Sequence, residues 1–108
     1  MNKALKFAPN LVDLVLTGKL TSTWRLWDDK DFKVGEIVDF LEFGSLKKFA
    51  IAMVDKVEEK KMNELTLDEM KDHYYSSGRE DMYKKFSEFY KRPVDGETIV
   101  KIIWFSLR

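Results

Sequence analysis

Two stretches of this chain are apolar on both of their alternating faces, and they constrain the fold more than any other feature. Phe49 to Val57 sets Phe49, Ile51 and Met53 on one side and Ala50, Ala52 and Val54 on the other. Thr98 to Leu107 repeats the pattern around Val100, Ile102, Ile103, Trp104 and Phe105. A strand with two apolar faces needs cover on both. Each stretch is therefore expected to lie inside a sheet. Three further segments have strand character: Ala4 to Phe7, the β-branched and aromatic Thr21 to Leu26, and Ile37 to Phe43 after the Val34-Gly35-Glu36 turn. In the last of these, Ile37, Leu41 and Phe43 share a face with Asp39, opposite Val38 and Phe40.

Helical signals are few. Ala8-Pro9-Asn10 starts a helix whose apolar face is Leu11, Val12, Leu14, Val15 and Leu16, with Gly18 suited to end it. Thr66-Leu67-Asp68-Glu69 reads as a capping box, with Leu65 and Met70 as its hydrophobic staple and a short helix to about Lys71. Ser77-Gly78-Arg79-Glu80 caps a second helix that Pro93 stops. Its apolar stripe, Met82, Tyr83, Phe86, Phe89 and Tyr90, reads as core. Lys56 to Lys61 reads as a solvated strand end. Strands and helices do not alternate as a doubly wound parallel sheet requires. The expected fold is α+β: a small mixed β-barrel of five to six strands, with an early helix and a helical insertion before the last strand. Residues 1–108 are expected to form a single domain.

Composition removes several chemistries. With no cysteine there is no thiolate catalysis and no cysteine-based zinc site. The lone histidine, His73, cannot build a multi-histidine metal centre, and no metal or cofactor is expected. Zero net charge argues against coating nucleic acid by bulk attraction. The charge is nevertheless uneven: through Trp27 the chain carries Lys3, Lys6, Lys19 and Arg25 against Asp13 alone. No apolar run is long enough to span a bilayer, and Met1 to Lys6 lacks a secretory apolar region, so no membrane partner is expected. The default expectations are a cytoplasmic location and a monomer.

The segment Gly18-Lys19-Leu20-Thr21-Ser22-Thr23-Trp24-Arg25-Leu26-Trp27 concentrates the chemistry. Strand alternation places Thr21, Thr23 and Arg25 on one face, and Ser22 and Trp24 on the other. Hydroxyls and a guanidinium beside indoles suit an anionic or nucleobase-like ligand. Trp24 reads as core. Trp27 opens a charged loop and has two readings, a stacking platform or a surface residue. Arg25 also has two: an ion pair with Asp28 or Asp29, or a phosphate contact. His73, beside Tyr74 and Tyr75, reads as a structural histidine rather than a base.

The order of that first helix, the Gly-x-x-Thr-x-Thr-x-Arg stretch from Gly18 to Arg25, and the Gly35-Glu36 turn resembles the ASCH domain family. Glu80 to Tyr90 and the closing Val100 to Phe105 also look like it, so the resemblance covers nearly the whole chain. It implies a PUA-like barrel and two kinds of activity. Many members are treated as RNA-binding modules; a branch of small bacterial members hydrolyses the amide of N(4)-acetylcytidine-type nucleosides with a lysine, a threonine and a glutamate. Carried onto this sequence, the threonine falls on Thr23 and the lysine on Leu20, with Lys19 the nearest cation. The glutamate falls on Tyr74 or Tyr75, with Glu69, Asp72 and His73 as neighbours in sequence. Neither leucine nor tyrosine can replace the missing charges at neutral pH.

The expected function is therefore a binding module for RNA or a nucleotide-containing small ligand. It would use a cleft beside Gly18 to Arg25, with Lys19, Thr21, Thr23, Arg25 and Trp27 as contacts. The alternative is the amidohydrolase, with Thr23 as catalytic nucleophile.

Overall fold

A computed structural model of the protein describes residues 2–27, 30–66, 68–69 and 78–108. The expected partners Asp28 and Asp29, the staple residue Met70, the helix end near Lys71, the Asp72 to Tyr75 segment and the cap residue Ser77 lie outside the described residues.

Five strands form one sheet: β1 (Lys3–Phe7), β2 (Ser22–Leu26), β3 (Ile37–Glu42), β4 (Lys48–Lys61) and β5 (Ile99–Leu107). Their order is β1-β3-β4-β5-β2, so β4 and β5, the two strands with apolar residues on both faces, are interior. β1 runs parallel to β3, and β3 antiparallel to β4, which makes the sheet mixed. Helix α1 (Pro9–Leu16) lies between β1 and β2 in sequence, and α2 (Arg79–Tyr90) between β4 and β5. This is the expected α+β class. Among the described residues no helix is long and apolar enough to cross a membrane.

By compactness the chain divides into two units, Met1–Trp24 with Asp28–Glu58 and Ile102–Arg108, and Arg25–Trp27 with Glu59–Lys101. The first unit holds a continuous apolar core of Leu5, Phe7, Val15, Leu20, Phe32, Val38, Phe40, Ala52, Val54, Ile103 and Phe105. Pairing of Leu5 with Phe40 across β1 and β3 brings two core side chains into one register. Ring contacts follow, with centroids 4.6 Å apart for Phe7 and Phe40 and 4.7 Å for Phe40 and Phe105. Each such side chain contributes about 1.5–3 kcal/mol on burial. In β3 the buried face is Val38 and Phe40, while Ile37, Asp39 and Leu41 are half-exposed. Phe43, expected within this strand, instead sits in the following turn and is exposed. The strand ends at Glu42, where the Glu42 carbonyl accepts the Leu46 N–H and the Glu42 N–H donates to the Lys47 carbonyl.

Helix α1 begins with Pro9, whose missing N–H has no partner to lose there. Gly18 takes φ +77° and lets the Gly18, Lys19 and Leu20 N–H groups return to the carbonyls of Val15 and Leu14. That closure turns Leu20 into the core.

In the second unit, Met62, Leu65, Met82, Phe86, Val94 and Val100 are buried. The start of α2 is held by Arg79, which donates to the carbonyls of Leu65 (2.6 Å) and Met62 (3.4 Å). The capping box read at Thr66 is present in both directions. The Glu69 N–H donates to Thr66 Oγ1 at 3.1 Å, and the Thr66 N–H donates to Glu69 Oε1 at 3.0 Å. The aromatic stripe of α2 is core only in part: Met82 and Phe86 are buried, but Phe89 is 68% exposed. Helical spacing keeps Phe89 on the face of Met82 and Phe86, so its exposure marks where the apolar cover ends at the last turn of α2.

Candidate functional site

Lys19 is exposed in the turn after α1, and Thr21 is exposed just before β2. Thr23 is 8% exposed, the one polar side chain in the buried class among the described residues. Trp24, on the opposite face of the strand, is buried as expected. Arg25 is half-buried. These positions fall in both units, with Lys19, Thr21 and Thr23 in the first and Arg25 and Trp27 in the second.

Leu20, the position where the resemblance would set a catalytic lysine, belongs to the core of the first unit and is 7% exposed. An ammonium there would be stripped of water, which is costly without a buried counter-charge. The side chain at position 20 therefore serves packing.

Trp27 organises the second unit's exposed chemistry. It leaves β2 with φ +51°, a left-handed conformation that costs a non-glycine residue about 1–3 kcal/mol. That turn presents the indole 42% exposed. The Arg92 guanidinium carbon lies 3.8 Å from the Trp27 ring centroid, in cation–π contact. The Tyr90 ring meets the indole edge-to-face, at 5.6 Å and 78°. Tyr90 in turn contacts Phe89 edge-to-face at 5.1 Å and stacks on Phe86 at 6.2 Å.

Two links aim this group. The Leu26 N–H donates to Tyr90 Oη at 3.2 Å, which ties the end of β2 to the last turn of α2. Lys91, at φ +57° and ψ +39°, then reverses the chain, and the Val94 N–H returns to Ser87 Oγ at 2.9 Å. Arg92 is carried back toward the helix end by that reversal. The sequence alone marks Trp27, places Phe89 in the core stripe and gives Arg92 no role. The Lys91-Arg92-Pro93 stop after an aromatic helix was the available signal.

Other charged residues serve the fold. Lys3 donates to the Asp31 carbonyl and pairs with Glu36 at 3.1 Å, so this cation is not at large in the basic N-terminal region. Glu36 also accepts the Lys33 N–H at 3.1 Å. That backbone bond first, and Lys3 second, hold the Glu36 carboxyl below its ordinary range. The Gly35-Glu36 turn is stitched to β4 by the Gly35 N–H to the Val54 carbonyl (2.8 Å) and the Val54 N–H to the Glu36 carbonyl (2.9 Å). Glu69 pairs with Lys60 at 3.2 Å. Burial pushes its carboxyl up, but the Thr66 N–H and Lys60 outweigh that and hold it below the usual range. A carboxylate so engaged is a poor general base near neutral pH.

No family model matches the chain, and no curated relative does. Solved structures are similar over its full length. A protein of Enterococcus faecalis V583 placed in the family DUF984 superposes with a TM-score of 0.74 at 19% identity, covering 100% of this chain and 77% of that one. An ASCH domain from Lactobacillus crispatus JV V101 gives 0.70 at 13% identity, covering 97% and 78%. ASCH from Zymomonas mobilis gives 0.65 at 12% identity, covering 95% and 65%. At these identities the likeness establishes a common fold.

Proposed function

We propose that this chain, which has the ASCH-domain fold, is a non-catalytic binding module for RNA or a nucleotide-containing ligand. The observation that carries the reading is the exposed Trp27 indole, held in a left-handed turn with Arg92 against it and Tyr90 at its edge. A flat indole with a cation beside it suits a nucleobase and its phosphate: the ring stacks, and the guanidinium hydrogen-bonds the anion. Arg25, in the same unit, adds a second, half-buried guanidinium. Thr23 is largely covered and is assigned a smaller part.

Titration with short single-stranded RNA at two salt concentrations tests this reading. The expected result is saturable binding that weakens with salt. No response to any oligonucleotide or nucleotide rules it out.

The runner-up, an amidohydrolase on N(4)-acetylcytidine-type nucleosides, is favoured by the buried Thr23 hydroxyl and opposed by Leu20 in the core. Incubation with N(4)-acetylcytidine decides between them. Release of cytidine at a rate abolished by Thr23→Val would make the protein an enzyme.

A further inference from the structure

Phe89 is the second point at which this surface departs from what packing alone requires. It follows Phe86 by three residues on α2, yet Phe86 is buried and Phe89 is 68% exposed. A single exposed ring is ordinary. This one is continuous with the site: Phe89 meets the Tyr90 ring edge-to-face, and so does Trp27. Tyr90 is fixed by its bond to the Leu26 N–H and its stack on Phe86, and acts as a rigid spacer between the two exposed rings. Lys91 and Arg92 follow directly and are exposed, and among the described residues neither is held in an ion pair. Two stacking surfaces separated by a fixed ring, with two cations at their edge, match a chain of bases joined by phosphates better than one base.

We infer that the ligand is a single-stranded oligonucleotide of at least two nucleotides, one base on Trp27 and a second on Phe89, with the linking phosphate met by Arg92 and Lys91. This rests on the nucleotide-binding reading above and narrows it to a ligand class. The Trp27 and Phe89 ring centroids lie 5.6 Å and 5.1 Å from the Tyr90 centroid, so the two exposed rings share one neighbour and a short oligonucleotide can reach both. Arg92 lies against the indole in the free protein, so it is displaced from or shares the ring when a base stacks there.

The test compares cytidine monophosphate with a single-stranded ribo-hexamer, binding each to the unmodified chain, Phe89→Leu, Arg92→Lys and Trp27→Leu. Phe89→Leu keeps apolar bulk at an exposed site and removes the ring, so folding is not at stake. The expected result is a loss on the order of tenfold for the hexamer with Phe89→Leu, and no change for the mononucleotide. Arg92→Lys keeps the charge and loses the planar fork, and weakens the hexamer several-fold. Hexamer binding that Trp27→Leu reduces but Phe89→Leu leaves unchanged overturns the two-base inference and spares the binding module. Absence of any RNA or nucleotide binding by the unmodified chain overturns both.

Discussion

Placing a lysine at position 20 tests whether that position serves packing rather than catalysis. Leu20 is 7% exposed, in a core with Phe7, Val15 and Phe32. Leu20→Lys forfeits about 1.5–3 kcal/mol of leucine burial, and leaves an ammonium without a buried partner, so the total cost is about 3–5 kcal/mol. For a domain of this size about 4 °C or more is lost per kcal/mol, and the melting temperature falls by about 12 °C or more. The pH dependence carries a signature. A lysine desolvated in the folded state has its pKa lowered there, so the unfolded chain binds more protons between the two values. Stability of the variant therefore rises with pH toward about 10.4, the unfolded lysine value. Leu20→Met, which conserves volume, costs less than about 1.5 kcal/mol and lacks that slope. Thermal melts of the three proteins from pH 6 to pH 10 supply the comparison, with N(4)-acetylcytidine turnover measured alongside. A Leu20→Lys protein that melts like the original and hydrolyses the substrate would refute the account, because position 20 would then be a vacant catalytic post.

Further expectations concern the site's supports. Tyr90→Phe removes the acceptor for the Leu26 N–H, costs about 1 kcal/mol, and loosens Trp27, read as a change in indole fluorescence absent from Tyr83→Phe. Thr66→Ala removes the Oγ1 that accepts the Glu69 N–H, keeps the backbone N–H that donates to Glu69, and costs about 1 kcal/mol in thermal melts. Glu36 has a folded pKa below its unfolded one, so its contribution is present above the unfolded value and is lost as pH falls through the folded value. Glu36→Gln should be less stable near neutral pH and lose less on acidification, and an unchanged acid limb would count against the Lys33 N–H and Lys3 contacts as the source of that stability.

The sheet was legible because its signals are local or periodic. Residues apolar on both faces marked β4 and β5 as interior, and Pro9 and Gly18 bracketed α1. The Thr66 and Glu69 side chains announced their reciprocal bonds at a spacing of three. The candidate site was half legible. Trp27 stood out by its charged surroundings, but its partner Tyr90 lies across a separation that only the fold closes, as the Leu26 and Tyr90 pair, 64 residues apart, illustrates. Phe89 was read as core because helical spacing groups it with Phe86, and periodicity does not report where a core stops. The burial of Leu20 depends on the Gly18 closure, which rotates the next residues by an amount strand alternation does not encode.

The central claim is that the exposed indole of Trp27 receives a base. Following the three tryptophan indole N–H resonances during titration with a single-stranded ribo-hexamer, assigned through Trp27→Phe, tests it most directly. The account predicts that the Trp27 resonance moves to saturation, with an affinity that falls as salt is raised, while the buried Trp24 resonance stays in place. A Trp27 resonance that holds still at saturating RNA would contradict it.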